Sequence, residues 1–279
     1  MIEPFQFPFM QHAALEIALL APLAGLLGAQ IVLRRLAFFT HSVGAASFPG
    51  LVIAGPLGIP PALAALGVGG GFAALLERLS KRAGVAADAA TALLLVLALA
   101  IGIVLASDVF ESGASVDQAL FGSLLGIGTS ELRFSAAALA AALVAALFFR
   151  DTWIATGFDA PSARALGLRA ATADLVLVVV IAIAVVASLD AVGSLLVSAI
   201  FVVPAATVRL FARSLPQLEL GAAGLALVEG IGGLLLAYEL DAPPGAAIAV
   251  LGGAVFAAAA LARALTLPAR EPATPEAAG

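Results

Sequence analysis

Apolar runs separated by short charged segments recur along the whole chain. A helix rises about 1.5 Å per residue, so about 20 mostly apolar residues cross the roughly 30 Å hydrocarbon core of a bilayer. Eight long runs carry no charged residue or, in one case, only Glu219 and Glu229. These runs are Ile17–Leu33, Ser42–Leu76, Ala89–Ser107, Phe134–Phe149, Leu175–Leu189, Ala191–Val208, Leu218–Tyr238 and Ala242–Ala262.

Proline and glycine divide the longest of these runs. Ser42–Leu76 is too long for one membrane span and contains the segment GPLGIPP at residues 55–61. Proline removes a backbone donor and clashes with the preceding turn, so the segment predicts two helices joined by a tight turn. The chain is therefore expected to be an all-α, polytopic membrane protein with about nine transmembrane helices, within a range of eight to ten.

The composition leaves no room for a soluble catalytic domain. Of the 279 residues, 63% are hydrophobic and 11% are charged, whereas a soluble domain is about half apolar and about a quarter charged. Residues 1–265 are expected to form one transmembrane domain, and the Pro/Ala-rich residues 266–279 a disordered tail. The first eight residues lack Lys and Arg, so the first apolar run is interpreted as a retained anchor rather than a cleaved signal.

The basic residues predict an orientation. If the first helix runs from outside to inside, twelve of the 13 Lys and Arg residues fall on the cytoplasmic side and only Arg133 falls outside. This bias matches the positive-inside rule and predicts a cytoplasmic C-terminus. The twelve are Arg34, Arg35, Arg78, Lys81, Arg82, Arg150, Arg164, Arg169, Arg209, Arg213, Arg263 and Arg270.

Two connections are too long to be simple turns. The external one, Asp108–Arg133, contains the apolar stretch Val116–Ile127, which is expected to lie in the interface or to re-enter the membrane. The internal one covers residues 151–171 and is called the coupling segment below. Within it, Asp159 before Pro161 predicts a helix start, and Gly167 predicts its end. Such a helix serves either as a linker or as a rigid element that docks into a cytoplasmic partner.

Most enzymatic sites are excluded by missing residues. Lys81 is the only lysine and follows no Gly-rich run, so the chain has no Walker A loop. It has no cysteine and two histidines, too few for a structural zinc site of three or four N/S ligands. The sequence also lacks a Gly-x-Ser-x-Gly or His-Glu-x-x-His motif. An intramembrane enzyme is therefore disfavoured.

A few ionisable residues fall in or beside the predicted spans, where each is costly unless solvated or paired. In a transport path, His41, Glu229, Asp190 and Glu16 would face a cavity. In a purely structural interpretation, Glu229 bonds a neighbouring helix, Glu16 and Asp190 sit in interfacial water, and His41 is a packed imidazole. His12, before the first span, is expected at the surface.

Four segments, in order, resemble the zinc/manganese/iron ABC-importer permease family. They read AGLLGAQIVLRRLAFF from Ala24, FDAPSARALGL from Phe158, VGSLLVSAIFVVPAATVRLFARSL from Val192, and LAYELDAPPGAAIAVL from Leu236. The resemblance extends from about Phe9 to Leu265. It implies a type II ABC-importer permease in the plasma membrane of a prokaryote, importing a divalent metal ion.

The same resemblance implies partners and site residues. The permease would form a homodimer in membrane lipid, with a cytoplasmic ATPase dimer that binds ATP and an extracellular solute-binding protein. It implies no permanently bound cofactor and no nucleic acid. The residues that would contact the ATPase are Phe158, Asp159, Ala163, Arg164, Ala165, Leu166 and Gly167. Pro161 and Ser162 stand where the family more often has an acid and an aromatic residue.

The second span departs from the family pattern. Many members carry Gly-Asp-x-x-Ser-His-x-x-x-Pro-Gly there, whereas this chain reads THSVGAASFPG from Thr40. His41 takes the place of the Asp and Ala45 that of the His. In a two-fold dimer, the two His41 side chains would form a weak His₂ pair that suits Zn²⁺ or another borderline ion. The candidate metal residues are thus His41, Glu229 and Asp190.

Two other transport functions fit the sequence less well. A permease for a larger metal chelate would usually have ten spans and a longer chain. A stand-alone secondary transporter would use Glu229 and Glu16 as proton carriers but would give the capped cytoplasmic helix no purpose.

Overall fold

The computed structural model describes residues 3–82, 87–109, 120–123, 127–194 and 197–266, and within these ranges the chain is helical with no β-strand. The predicted tail after residue 266 and most of the predicted stretch Val116–Ile127 lie outside the described residues. A 3₁₀ turn at Glu3–Gln6 and a π-helical turn at Leu105–Val109 accompany the α-helices.

The described ranges contain thirteen α-helices. They are α1 (Pro8–Leu33), α2 (Ala37–Ala46), α3 (Phe48–Leu57), α4 (Pro61–Arg82), α5 (Ala87–Val104), α6 (Thr129–Phe158), α7 (Ala160–Ala165), α8 (Ala170–Ala187), α9 (Leu189–Val192), α10 (Val197–Phe201), α11 (Val203–Arg209), α12 (Leu215–Leu240) and α13 (Pro244–Thr266).

These helices provide nine hydrophobic segments. Among the described residues, seven helices are long and apolar enough to cross a membrane, and Pro61–Leu76 and Val197–Arg209 are two shorter apolar helices. The all-helical, polytopic architecture with about nine spans is thereby confirmed. The predicted break after residue 55 is present as well: α3 ends at Leu57, Gly58 adopts a left-handed φ of 65°, and α4 begins at Pro61.

Helix α1 lies at the centre of the bundle and packs along α12, α6 and α11. Small residues allow this close approach. A β-carbon on Gly25 would lie 2.5 Å from the carbonyl oxygen of Glu219, and one on Gly28 would collide with the carbonyl of Phe201. Gly67 and Gly71, which lie four residues apart in α4, face open space within the protomer. Gly25 and Gly28 therefore permit the close packing of α1 against its neighbours.

Two of the apolar segments are broken rather than continuous. Ser47 separates α2 from α3, and the region after α8 consists of the short helices α9, α10 and α11. Gly193, with a φ of 85°, follows α9 and packs against the backbone of residues 120–122. A side chain there would be both strained and obstructed. The described part of the long connection between α5 and α6 thus packs onto the end of α9.

Polar contacts mark two opposite ends of the bundle. At one end, called the basic end, Arg34 at the close of α1 pairs with Asp174 near the start of α8. Also at this end, Arg150 of α6 pairs with Glu219 of α12. At the other end, His12 Nδ1 lies 3.1 Å from the carbonyl oxygen of Ile127. Successive spans therefore run antiparallel, and Arg133, near the start of α6, lies away from the basic end.

Candidate functional site

The coupling segment contains the capped helix that the sequence predicts. Helix α7 begins directly after Asp159, whose carboxylate accepts hydrogen bonds from the Ser162 hydroxyl (2.5 Å) and the Ser162 backbone N–H (3.1 Å). The Ser162 side chain, and then its backbone N–H, lower the pKa of the Asp159 carboxyl. Gly167, with a φ of 76°, follows the end of α7. The cap and the glycine fix the length of this short helix.

The coupling segment presents two apolar side chains outward at the basic end, one on each side of α7. Phe158, the last residue of α6, is 73% exposed, and Leu166, directly after α7, is 79% exposed, whereas Ala163 within α7 is 2% exposed and faces the protein. Asp159, Ala165 and Gly167 are exposed. The Arg164 side chain lies outside the described residues. Large exposed apolar groups that flank a short, polar-capped helix form a surface suited to another protein.

A cleft of about 230 Å³ opens beside Phe158. Arg209 and Arg213 lie on its wall, together with Leu33 and Leu218. Arg209 also donates a hydrogen bond to the carbonyl oxygen of Val32 over 2.8 Å, which fixes the turn after α11 against the end of α1. The exposed Phe158 is therefore bordered by positive charge.

A cluster of hydrogen bonds around Arg34 anchors the two helices that flank α7. The Arg34 guanidinium donates to the Asp174 carboxylate over 2.7 Å, to the carbonyl oxygen of Trp153 over 2.8 Å, and to the Thr156 hydroxyl over 2.6 Å. These four residues are called the Arg34 clasp. The clasp joins the end of α1 to the end of α6 and the start of α8.

Further bonds between α6 and α8 support the clasp. The Trp153 indole N–H donates to the carbonyl oxygen of Ala173 over 2.7 Å, and the Thr156 hydroxyl lies 3.2 Å from the Asp174 carboxylate. The sequence analysis used Arg34 only for orientation and did not identify the clasp. An arginine directly after an apolar span and the chain's single tryptophan were the available signals.

The ionisable residues proposed for the ion path lie in different parts of the protomer. His41 lies in α2, which packs against α4, α5, α8 and α10. Glu229 lies in α12, beside Gly252 of α13. Asp190 belongs to α9, and its side chain lies outside the described residues. Within the described ranges, no three His, Asp or Glu side chains are close enough to hold a metal ion.

Glu229 is deeply enclosed in the protomer. Its side chain is 2% exposed, and Oε1 is buried without a hydrogen-bond partner. The predicted bond to a neighbouring helix is therefore absent at Oε1. Because an unpaired polar atom in a low-dielectric interior is costly, such a group in a membrane span is a functional candidate by default.

Glu16, unlike His12, differs from its predicted surroundings. Glu16 is 1% exposed and accepts a hydrogen bond of 2.5 Å from the Ser135 hydroxyl, so it lies in the protein rather than in interfacial water. His12 is half-buried at the surface, where its Nδ1 lies 3.1 Å from the Ile127 carbonyl oxygen. Glu16 thus links α1 to the start of α6, and His12 links α1 to Ile127, just before α6.

Comparisons with known proteins agree with this architecture. A model of the ABC 3 transport family matches residues 6–263. The manganese transport system membrane protein MntC of Halalkalibacterium halodurans is 29% identical over 91% of this chain and 87% of its own length. The chelated iron transport system membrane protein YfeD of Yersinia pestis is 29% identical over 92% of this chain and 86% of its own length.

A solved structure matches the fold over nearly its full length. PsaBC from Streptococcus pneumoniae, determined in complex with a Fab, contains a chain that superposes with a TM-score of 0.85 at 25% identity. The match covers 93% of this chain and 95% of that chain. The helix arrangement described above is therefore shared by a solved protein.

Proposed function

The chain belongs to the ABC 3 transport family, and from that premise we propose that it is the permease subunit of an ATP-driven importer of a divalent metal ion. Its apolar helices form the translocation path in the plasma membrane of a prokaryote. The substrate is Mn²⁺, Fe²⁺ or Zn²⁺, and the names of the manganese and iron relatives support the first two.

The observation that carries the proposal is the pair of exposed apolar side chains, Phe158 and Leu166, that flank the capped helix α7 at the basic end. The chain has no phosphate-binding loop of its own, so a partner must supply the ATP hydrolysis. Phe158 and Leu166 would enter a groove on a cytoplasmic ATPase subunit, and burying each would contribute about 1.5–3 kcal/mol. The positive charge of Arg209 and Arg213 beside Phe158 favours an acidic rim on that groove.

The orientation follows from the arginines. The basic end contains Arg34, Arg150, Arg169, Arg209 and Arg213, and the positive-inside rule assigns it to the cytoplasm. Helix α13 begins beside the carbonyl of Val192 at the opposite end, so its C-terminus also lies at the basic end. The opposite end would then receive the metal ion from an extracellular solute-binding protein.

The importer would contain two copies of this chain and two ATPase subunits. Within one protomer the described residues form no cluster of three His, Asp or Glu ligands. A site completed by the second protomer, with His41 from each copy, is consistent with this and would bind the ion weakly enough to release it. Glu229 is the second candidate on the path, because its carboxylate is buried and Oε1 has no partner.

Growth rescue tests the proposed function. A prokaryotic strain lacking its own manganese, iron and zinc importers would receive this chain together with its ATPase and solute-binding protein. We expect rescue by at least one metal, and only when the ATPase is active. Rescue without an active ATPase would instead favour a stand-alone secondary transporter. Rescue only by a metal bound to a large organic ligand would favour a chelate permease.

A further inference from the structure

We propose that Arg34 is a positioning residue that makes α1 move together with the coupling helix α7 during ATP-driven transport. This inference rests on the proposed function. It concerns a step that the exposed side chains of α7 cannot perform by themselves. An ATPase that pushes on α7 must also displace the helices that line the path. Among the described residues, the Arg34 clasp is the polar connection that joins α1 to both helices flanking α7. The Arg150–Glu219 pair reaches α12 from α6 alone, and the Ser135–Glu16 bond reaches α1 from α6 alone.

The connection is built at the base of the α6–α7–α8 hairpin. Thr156 lies just before Phe158 at the end of α6, and Asp174 lies in the first turns of α8. Both side chains bind the same guanidinium. Without Arg34, the two arms of the hairpin would bind each other through the 3.2 Å contact of Thr156 with Asp174 and through the Trp153 indole, but neither of these contacts reaches α1.

The chemistry of the clasp requires arginine. The Arg34 side chain is 12% exposed and that of Asp174 is 36% exposed. The planar guanidinium reaches three acceptors at once, whereas the point charge of a lysine could not reproduce that fork. The Arg34 guanidinium is largely buried and would be left uncompensated if it lost these acceptors, so the arrangement resists separation. The clasp therefore behaves as a rigid junction rather than as a surface ion pair.

Helix α1 carries the movement to the middle of the bundle. It packs along α12 at Gly25, where the backbones approach closely, and along α6. A displacement of α7 thus passes through the clasp to α1 and from α1 to α12, which carries Glu229. The packed interior transmits this displacement because it has little compressibility.

The test compares two neighbouring arginines in the complete importer, reconstituted with its ATPase and solute-binding protein in liposomes. Arg34→Gln and Arg34→Lys remove the planar guanidinium that reaches three acceptors. Arg35→Gln, the control, removes one positive charge at the next residue. ATP hydrolysis and ⁵⁴Mn²⁺ uptake are measured together, with Fe²⁺ or Zn²⁺ used instead if growth rescue selects one of them. We expect both Arg34 variants to hydrolyse ATP but to import about tenfold less metal per ATP, the size of an ordinary coupling free energy.

Two outcomes would overturn the inference. One is an Arg34 variant that imports as much metal per ATP as Arg35→Gln. The other is a loss of hydrolysis and uptake in equal proportion, which would indicate a structural role alone. If the unaltered importer shows no ATP-dependent uptake, the proposed function itself fails, so the two failures are distinguishable.

A distance measurement keeps the inference testable if the Arg34 variants do not fold. The chain contains no cysteine, so Leu15→Cys in α1 and Leu168→Cys just after α7 can carry two spin labels, with labelled protomers diluted into unlabelled ones; both leucines are exposed, and Leu168 is not among the residues proposed to contact the ATPase. We expect their separation to be the same in the nucleotide-free and ATP-trapped states of the otherwise unaltered importer. We also expect Thr156→Val combined with Asp174→Asn to make the separation depend on nucleotide. A separation that already changes before the clasp is altered would contradict the rigid junction.

Discussion

The Glu229 carboxylate packs against the backbone of Gly252, so closely that a β-carbon on Gly252 would lie 3.1 Å from Oε2. The same β-carbon would lie 3.3 Å from a methyl group of Val203. Helices α11, α12 and α13 thus meet around one buried acid. The glycine provides the space that this carboxylate occupies.

This contact predicts a difference between adjacent glycines. Gly252→Leu should lower the free energy of unfolding by about 1–3 kcal/mol, because the added side chain overpacks the space around Glu229. Gly253→Leu should change it little, because nothing lies within 4 Å of a β-carbon at that position. Thermal unfolding of both variants in detergent, followed by size-exclusion chromatography, measures the difference. Equal melting temperatures would show that the space around Glu229 is not tightly packed.

The exposed apolar side chains of the coupling segment predict the strength of ATPase binding. Leu166→Ser should weaken binding of the ATPase at least about tenfold, since a buried leucine contributes about 1.5–3 kcal/mol. Leu240→Ser is the matched control, because Leu240 is 69% exposed but lies at the opposite end of α12 from the basic end. Titration of purified ATPase against each permease measures the effect. The same affinity for both variants would remove α7 from the ATPase interface.

The cap of α7 predicts a pH dependence. Hydrogen bonds from Ser162 lower the pKa of Asp159, so the ionised carboxylate stabilises the start of α7 above the usual pKa of an aspartate. This stabilisation is lost as the pH falls through the lowered pKa. Asp159→Ala should therefore speed amide exchange in residues 160–166 at neutral pH, and the difference should vanish in acid. Hydrogen-exchange mass spectrometry at both pH values tests this, with Asp151→Ala as the control on an exposed residue of α6.

Substitution of His41 is predicted to impair transport, whereas substitution of His12 is not. His41→Ala should lower metal uptake at least about tenfold if each protomer contributes one imidazole to a shared site, since even indirect partners of a metal site are worth this much. His12→Gln should leave uptake near normal, because His12 binds the Ile127 carbonyl at the other end of the bundle. Uptake by the reconstituted importer measures both. Unchanged uptake by His41→Ala would exclude His41 from the ion path.

Hydropathy predicted the spans because membrane depth imposes a minimum apolar length, and proline predicted the turn between α3 and α4. Hydropathy underestimated the lengths of the helices, since α6 extends over Thr129–Phe158 whereas the charge-free run covers Phe134–Phe149. Helices continue past the hydrocarbon core into polar surroundings, where hydropathy carries no signal. The breaks at Ser47 and Gly193 were also missed, because their surroundings remain apolar.

The capped helix was predictable and the clasp was not, for one physical reason. Asp159, Ser162 and Gly167 begin and end α7 through contacts with backbone only a few residues away. Their pattern can therefore be recognised in the sequence. Arg34 and Asp174 are 140 residues apart and meet only when α1, α6 and α8 are packed. A single sequence shows each of them as one more charge at the end of a span, and only the packed bundle shows which charges pair.

Crosslinking from Leu166 tests the central claim most directly, because Leu166→Cys would be the only thiol in the permease. A maleimide–benzophenone probe would be attached to it in inside-out membrane vesicles that contain the complete importer. We predict a covalent product between the permease and the ATPase, and no labelling of intact cells by an impermeant maleimide. Labelling of intact cells, with no product in the vesicles, would place α7 outside the cell and contradict the account.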